Sequence, residues 1–294
     1  MLNALKRLVQ EPPPTMAFEI SESGIAAARV AANSPLEFRP LKPGVLSVSP
    51  LRDNVSDTGE FAETVRSLWA SSGSRKRRDV ALILPDYATR IAVLDFDQFP
   101  SDVKEQLSLV RFRLKRSVPF DVEGAAISYW PQPNANKNYD VLTVVAPLEI
   151  IARYEAPFRL AGMNPGLVTT STMAALELAP ESARSVVAKL TGHVLSVVVR
   201  EKGTVKLVRC VEVASQEIED IAAVLLPTFV YIEDNLGGSA DSLFLCGFGA
   251  QLDAAQRRFQ HELGVPVEPL RSPLAPPGET NAGLLGYLHS VVRN

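Results

Sequence analysis

The sequence predicts an α/β protein made of two related lobes with an insert between them. Three observations carry that reading. Near the N-terminus, a hairpin of two short apolar runs leads into further strands and a helix. The same order restarts near residue 184. Between the two lies a helix–strand–strand–helix block whose basic helix is stopped by Pro119.

The elements follow from local pattern. Ala17–Ile20 and Ile25–Ala32 are apolar runs joined by Ser21-Glu22-Ser23-Gly24, which predicts a hairpin. Leu36–Leu41 and Gly44–Val48 read as further strands. Asp57–Ser71 reads as a helix with Phe61, Val65, Leu68 and Trp69 on one side. Ser72–Arg78 is a basic linker, either a solvated loop or a contact for anionic lipid. Val80–Leu84 is a buried-type strand ended by Pro85, and Arg90–Phe96 alternates as another.

A helix is expected from about Asp102 with Ser101 as its N-cap. Leu107, Val110, Leu114 and Val118 form its apolar stripe, and Arg111, Arg113, Lys115 and Arg116 crowd its negative end. Strands Ala126–Trp130 and Tyr139–Val145 flank a polar loop, then Leu148–Ala161 forms a helix with Pro157 inside and Gly162 at its end. A short strand, Leu167–Thr170, and a helix, Thr172–Leu178, follow. Ser185–Ala188, Val194–Arg200 and Val205–Val213 are strands with turns at Thr191-Gly192 and Lys202-Gly203. Ser215–Asn235 is a helix carrying Pro227, where a kink is expected. Ser242–Leu245, a helix over Ala250–Glu262 and a last helix after Pro276-Pro277 complete the chain.

Composition narrows the function. A chain of 294 residues suits two ordinary domains or several small ones. Its 30 basic and 33 acidic residues nearly cancel, which argues against a nucleic-acid partner. Two cysteines, Cys210 and Cys246, make no disulfide framework and suit a reducing compartment. No apolar run is long enough to span a bilayer and no signal-peptide pattern is present, so a cytoplasmic location is expected. Met1–Gln10 is faintly amphipathic and reads either as a membrane-surface or docking helix or as a frayed terminus. His193, His261 and His289 are too scattered for a metal site. Asp95 and Asp97 share a strand face that an exposed edge explains, and no P-loop, G-x-S-x-G or C-x-x-C occurs. Trp69 and Trp130 read as core or interface residues.

Several stretches in order resemble the PilM family, actin-like proteins on the cytoplasmic side of type IV pilus machines. They are the short basic N-terminus M-L-N-A-L-K-R-L, V-A-L-I-L-P-D-Y-A-T-R from Val80, and the helix exit Val118-Pro119-Phe120 with the strand ending Ser128-Tyr129. V-V-A-P-L-E-I-I-A-R-Y from Val144, A-G-M-N-P-G from Ala161, L-F-L-C-G-F-G-A from Leu243 and G-L-L-G-Y-L from Gly283 continue the match. The resemblance implies an actin-like ATPase fold, two related α/β lobes around a cleft, with a PilM/FtsA-type inserted subdomain. It divides the chain into a flexible segment 1–14, a first lobe 15–85, an insert 86–165 and a second lobe 166–294 whose last helix returns to the first lobe. It further implies a PilN-like inner-membrane partner, with other platform proteins or self-association as further contacts, and a location peripheral to the inner membrane. Its work would be binding rather than catalysis. The groove for the partner's N-terminal peptide is expected at Leu84, Pro85, Arg90, Leu94, Val118, Pro119 and Phe120, with Arg90 meeting a carbonyl or carboxylate. Burial of Phe120 in a closed core is the alternative.

Active members of this fold hold Mg·ATP on three loops, and here all three depart. The first hairpin, of the form D-I-G-S-S, matches Glu19-Ile20-Ser21-Glu22-Ser23-Gly24, with Glu for Asp and Ser21 for glycine. Glu22 places a carboxylate where phosphate would lie. Two like charges about 4 Å apart repel by roughly 4 kcal/mol at an effective dielectric near 20. The second hairpin, of the form D-I-G-A, matches Lys189-Leu190-Thr191-Gly192, with Lys189 in place of the metal-side Asp. The third, a glycine pair beside adenosine, survives in part as Gly247-Phe248-Gly249. The expectation is a degenerate site without ATP, Mg²⁺ or turnover. Lys189 is expected either to pair with Glu19 or Glu22 across the cleft or to point to solvent. Two rivals stand beside the scaffold. One is an active actin-like ATPase or sugar-kinase relative with unusual phosphate loops. The other is a cytoplasmic domain of a type II secretion platform, set lower because such proteins continue into a membrane helix and no such helix follows here.

Overall fold

A computed structural model describes residues 12–30, 35–71, 79–134 and 138–293. The expected N-terminal decapeptide helix, the end of the second apolar run and the basic linker at 72–78 lie outside the described residues.

The first lobe is a five-stranded sheet in the order β3-β2-β1-β4-β8. Its strands are β1 (Met16–Ser21), β2 (Gly24–Arg29), β3 (Glu37–Pro40), β4 (Asp79–Leu84) and β8 (Asn164–Thr170). β1 and β2 form the antiparallel hairpin, while β4 runs parallel to both β1 and β8. β1 is buried throughout, and its alternation sorts residues by size. Phe18 and Ile20 face helices α1 (Thr58–Ser71) and α3 (Leu148–Leu160), where they meet Phe61, Val65, Tyr154 and Phe158. The Phe18 and Phe158 rings stand edge to face at 5.0 Å. The opposite face presents Ala17, Ala26, Ala28 and Ala81, and that shallow surface lets another helix approach closely.

The second lobe repeats this plan. Its sheet runs β11-β10-β9-β12-β13, from β9 (Arg184–Thr191), β10 (Val194–Glu201), β11 (Thr204–Glu212), β12 (Ser242–Cys246) and β13 (Val267–Pro269). The pattern is again an antiparallel hairpin with a third strand outside it, then two parallel additions. Helices α5 (Ile218–Leu236) and α6 (Leu252–Leu263) cover one face. Two helices lie between the lobes: α4 (Ser171–Ala175), continued by a 3-10 turn to Leu178, and α7 (Ala282–Arg293). Leu284, Tyr287 and Leu288 pack on the first sheet, while Ala282 and Leu285 join Val187, Val198 and Phe244 of the second. Gly286 permits the crossing, because a Cβ there would stand 2.0 Å from the Ala174 carbonyl oxygen.

The insert is a three-stranded sheet in the order β5-β7-β6, with one helix. It comprises β5 (Arg90–Phe96), α2 (Val103–Leu114), β6 (Ala125–Pro133) and β7 (Tyr139–Pro147), and it has its own core around Val110, Leu114, Val141 and Val145. It is shorter than the boundary at residue 165 implies. α3 packs its Ile150, Tyr154 and Phe158 into the first lobe, and β8 completes the first sheet, so the chain has left the insert by Leu148. Asp102, not Ser101, caps α2, accepting the amides of Lys104 and Glu105 at 3.0 and 3.1 Å. The expected strand at Gly44–Val48 reduces to a single bridge between Leu46 and Val55. The insert also touches the second lobe. The Gln132 amide group brackets Val205, accepting its N–H at 2.8 Å and donating to its carbonyl at 3.0 Å. Lys206 and Asp140 pair beside it at 2.6 Å.

Two candidate sites, a filled cleft and an open groove

The β1–β2 and β9–β10 turns face each other across a cleft of about 200 Å³. Ser21, Glu22 and Ser23 line one side and Thr191, Gly192 and His193 the other, closed by Asp86, Tyr87, Glu212 and Glu279. Gly24 and Gly192 allow these tight turns. A Cβ at Gly24 would meet the Phe38 ring and the Arg39 carbonyl, and Gly192 sits at φ +55.

Protein groups satisfy one another across the cleft. Glu22 leaves the middle of the cleft and accepts the Val48 amide at 2.6 Å. Glu19, 1% exposed, accepts the Ser171 hydroxyl and the Leu284 amide, the latter at 2.7 Å, and so joins β1 to both central helices. Burial pushes the Glu19 carboxyl above its usual range. The Lys189 ammonium, the Ser171 hydroxyl and the Leu284 and Gly283 amides oppose that rise. Asp86, at the end of β4, accepts the Thr172 amide at 2.7 Å and hydroxyl at 2.5 Å, and the Ser196 hydroxyl of the second lobe at 3.0 Å.

Lys189 meets neither expectation. It is 1% exposed, so it does not point to solvent, and no ion pair joins it to Glu19 or Glu22. Its ammonium donates to the Thr191 hydroxyl and to the Glu279 carbonyl, at 3.5 Å for the latter, and acts on Glu19 through space. The Glu279 carboxylate accepts the Gly192 amide at 2.8 Å, occupying a backbone donor suited to an anion. Gly247, at φ +82, crosses so close to Leu190 that a Cβ would lie 1.9 Å from its carbonyl oxygen. Phe248 is buried in the second lobe's core, and Gly249 stands beside open space at φ +49.

The size and acidic lining of the cleft disfavour a nucleotide's phosphates. The cleft falls below the roughly 300–1,000 Å³ of small-molecule pockets. Its walls carry four carboxylates, Glu22, Asp86, Glu212 and Glu279. The Tyr87 hydroxyl donates to Glu212 at 3.0 Å, tying the two walls together.

The second site is a groove of about 500 Å³ where the insert meets the first lobe. Ala126, Ser128, Val144 and Ala146 of the insert's sheet form one wall, and Val168, Thr169 and Thr170 of β8 another. Leu148, Ile151, Ala152 and Glu155 of α3, with Leu84 and Thr89, complete it. Of the residues expected at a partner groove, Leu84 is placed here. Pro85 lines the cleft instead. Arg90 lays its guanidinium over the Tyr87 ring at 5.1 Å. Leu94, Val118 and Phe120 pack on the insert's own core, and Pro119 is exposed.

Sequence reasoning missed Asp86, Ser171, Thr172, Ser196 and Glu279, which come together only in the fold. Asp86 alone left a local trace, a carboxylate directly after the proline that ends a buried strand.

No protein-family model matches the chain, and no curated protein matches it by sequence. Among solved structures, it resembles the PilM–PilN type IV pilus biogenesis complex with a TM-score of 0.80 at 19% identity, covering 96% of this chain and 99% of that one. It also resembles a Bacteroides thetaiotaomicron protein with an actin-like ATPase fold and unknown function, at TM-score 0.56 and 14% identity over 94% and 95% of the two chains. The cytoplasmic domain of EpsL, an inner-membrane component of the Vibrio cholerae type II secretion system, matches at TM-score 0.50 and 13% identity over 78% and 80%. The chain therefore has the actin-like ATPase fold, as the sequence resemblance implied. Among the described residues, no helix is long and apolar enough to cross a membrane.

Proposed function

We propose that this chain is a PilM-like scaffold of a type IV pilus or related secretion platform. It holds the N-terminal cytoplasmic peptide of a PilN-like inner-membrane protein and works without ATP turnover. The observation that carries the reading is the open, mostly apolar groove between insert and first lobe, beside a cleft closed by the chain's own charges. An extended peptide needs an apolar trough or an unpaired strand edge, and this junction supplies both. Such a partner would hold the protein at the inner membrane.

The test is calorimetric titration with the N-terminal peptide of the PilN-like protein from the same organism. Saturable binding that is lost when the groove is filled by Ala146→Trp, in protein shown to stay folded, is expected. Full binding by that variant rejects the site. The likeness to EpsL favours a second reading, the cytoplasmic part of a type II secretion platform. Binding of that system's partners instead of the PilN-like peptide distinguishes it. The active-ATPase rival predicts micromolar Mg·ATP affinity, where the present reading predicts no measurable heat of nucleotide binding.

A further inference from the structure

α5 buries Ile221, Leu225, Phe229 and Ile232 against the second sheet. Its opposite side carries a second apolar row at helical spacing, Ala223, Leu226, Pro227 and Val230, and that row is exposed. Leu226 and Val230 stand 51% and 48% exposed. Carboxylates close the row at both ends, Glu219 and Asp220 in the first turn and Glu233 and Asp234 in the last. Among the described residues, no lysine or arginine pairs with these carboxylates. Glu219 and Asp220 suit the positive end of the helix. Glu233 and Asp234 lie at its negative end, where cations are favoured, and no basic residue shares that turn.

The charges narrow what can cover this row. A second α5 laid along it, in either direction, brings acidic ends onto acidic ends, and an anionic bilayer is repelled in the same way. The fitting occupant has apolar residues at helical spacing and cations beside them. The chain contains such a segment. Met1–Gln10 carries Leu2, Leu5, Leu8 and Val9 in one helical row, with Lys6 and Arg7 beside it and no acidic residue.

Reach decides which copy supplies the segment. The Pro14 carbonyl accepts the Tyr287 hydroxyl at 2.6 Å, which pins the chain beside α7. α7 and α5 lie on opposite faces of the second sheet. Two layer steps of about 10 Å separate them, and the exposed row stands about 5 Å farther out. The stretch from Gln10 to Pro14 spans at most about 14 Å. The segment therefore does not reach the row on its own α5.

We infer that the exposed row of α5 binds the Met1–Gln10 segment of a neighbouring copy. Leu2, Leu5 and Leu8 pack on Ala223, Leu226 and Val230, and Lys6 and Arg7 meet Glu233 and Asp234. Donor and acceptor are different surfaces, so the contact is head-to-tail. It builds a ring, of which a reciprocal pair is the smallest, or an open chain. So small an interface is weak, and assembly depends on protein concentration. None of this involves the groove.

The experiment is sedimentation velocity on the full chain over a series of concentrations, where reversible growth beyond the monomer is expected. Leu226→Glu removes the acceptor and Leu5→Glu removes the donor, and each variant alone is expected to stay monomeric. Mixed in equal amounts, they should form a dimer and nothing larger, because each keeps the half that the other lost. Glu233→Lys/Asp234→Lys should weaken assembly several-fold, and adding Lys6→Glu/Arg7→Glu to the same chain should restore part of it. A wild-type chain that is monomeric at every concentration overturns the inference. Assembly that survives either single variant, or a mixture that stays monomeric, overturns it as well.

Discussion

The cleft and the groove sit on either side of the short segment from Leu84 to Arg90, and they have been filled in opposite ways. In the cleft, both hairpin turns are engaged by the chain itself: Glu279 on the Gly192 amide, Glu22 on Val48, Lys189 on Thr191. In the groove, walls of alanine, valine and threonine enclose open volume, and a buried threonine hydroxyl lacks a partner. The chain has placed its polar satisfaction in the cleft and its open apolar surface in the groove. Substitutions in the cleft should therefore change stability and spare partner binding. Substitutions in the groove should do the reverse.

The largest effect is expected at Lys189. Removing its charge with Lys189→Met takes the Lys189 donor from the Thr191 hydroxyl and the Glu279 carbonyl and the lowering influence from Glu19, and losing a charged hydrogen-bonding group at a buried site costs roughly 3 kcal/mol. Chemical denaturation should show that loss, and a Lys189→Met/Glu19→Gln double variant should recover part of it. Peptide affinity in folded protein should stay unchanged. A loss of affinity as large as the loss of stability would break the division between cleft and groove.

Gln132→Ala should come next. It strips the partners from the buried N–H and carbonyl of Val205, where the insert docks on β11, at a cost of about 1–3 kcal/mol. Hydrogen exchange should speed up at the Val205 amide, with the first lobe unaffected. Equal protection in both proteins would mean that Gln132 does not hold Val205 in place.

The cleft should also report through pH. The Glu19 carboxyl is raised above its ordinary value of 4.5 in the folded chain, so the native state holds its proton to higher pH than the unfolded state does. Its favourable contribution is complete below that ordinary value and is lost as pH rises through the folded pKa. Glu19→Gln, which cannot ionise, lacks this loss. The stability difference between the two proteins should therefore move in favour of Gln as pH rises above about 4.5. A difference that does not vary with pH would remove Glu19 from the titrating groups.

Much of the lobe plan was legible in the sequence because hairpins are local. The turn Ser21–Gly24, the turn Thr191-Gly192 and the buried apolar runs beside them need no distant partner to be recognised. The end of the insert was not legible, because α3 belongs to the first lobe only through the contacts of Tyr154 and Phe158 with Phe61 and Phe18. Lys189 shows the same limit. A lysine in a strand suggests an exposed face, yet its burial depends on a loop at Glu279, 90 residues away. For the groove, Leu94 and Phe120 are the prominent residues in the sequence, but they serve the insert's core. The groove wall is Ala126, Ser128, Val144 and Ala146, whose small side chains leave space and give no local signal.

The smallest predicted effect separates the two regions most sharply, because it has opposite signs in two measurements. Thr170 holds a buried hydroxyl without a partner in the free protein, and an unmade hydrogen bond of this kind is destabilising. Thr170→Val keeps the shape and removes the hydroxyl. The free protein should gain about 1 kcal/mol and melt at a higher temperature. If the groove's occupant supplies the missing partner, the same substitution should weaken peptide binding several-fold. A cleft substitution has no route to that combination, since its groups are already paired within the chain. Raised stability with unchanged affinity would leave Thr170 as a plain packing defect, and the contrast would then rest on the groove's open volume and small-residue walls.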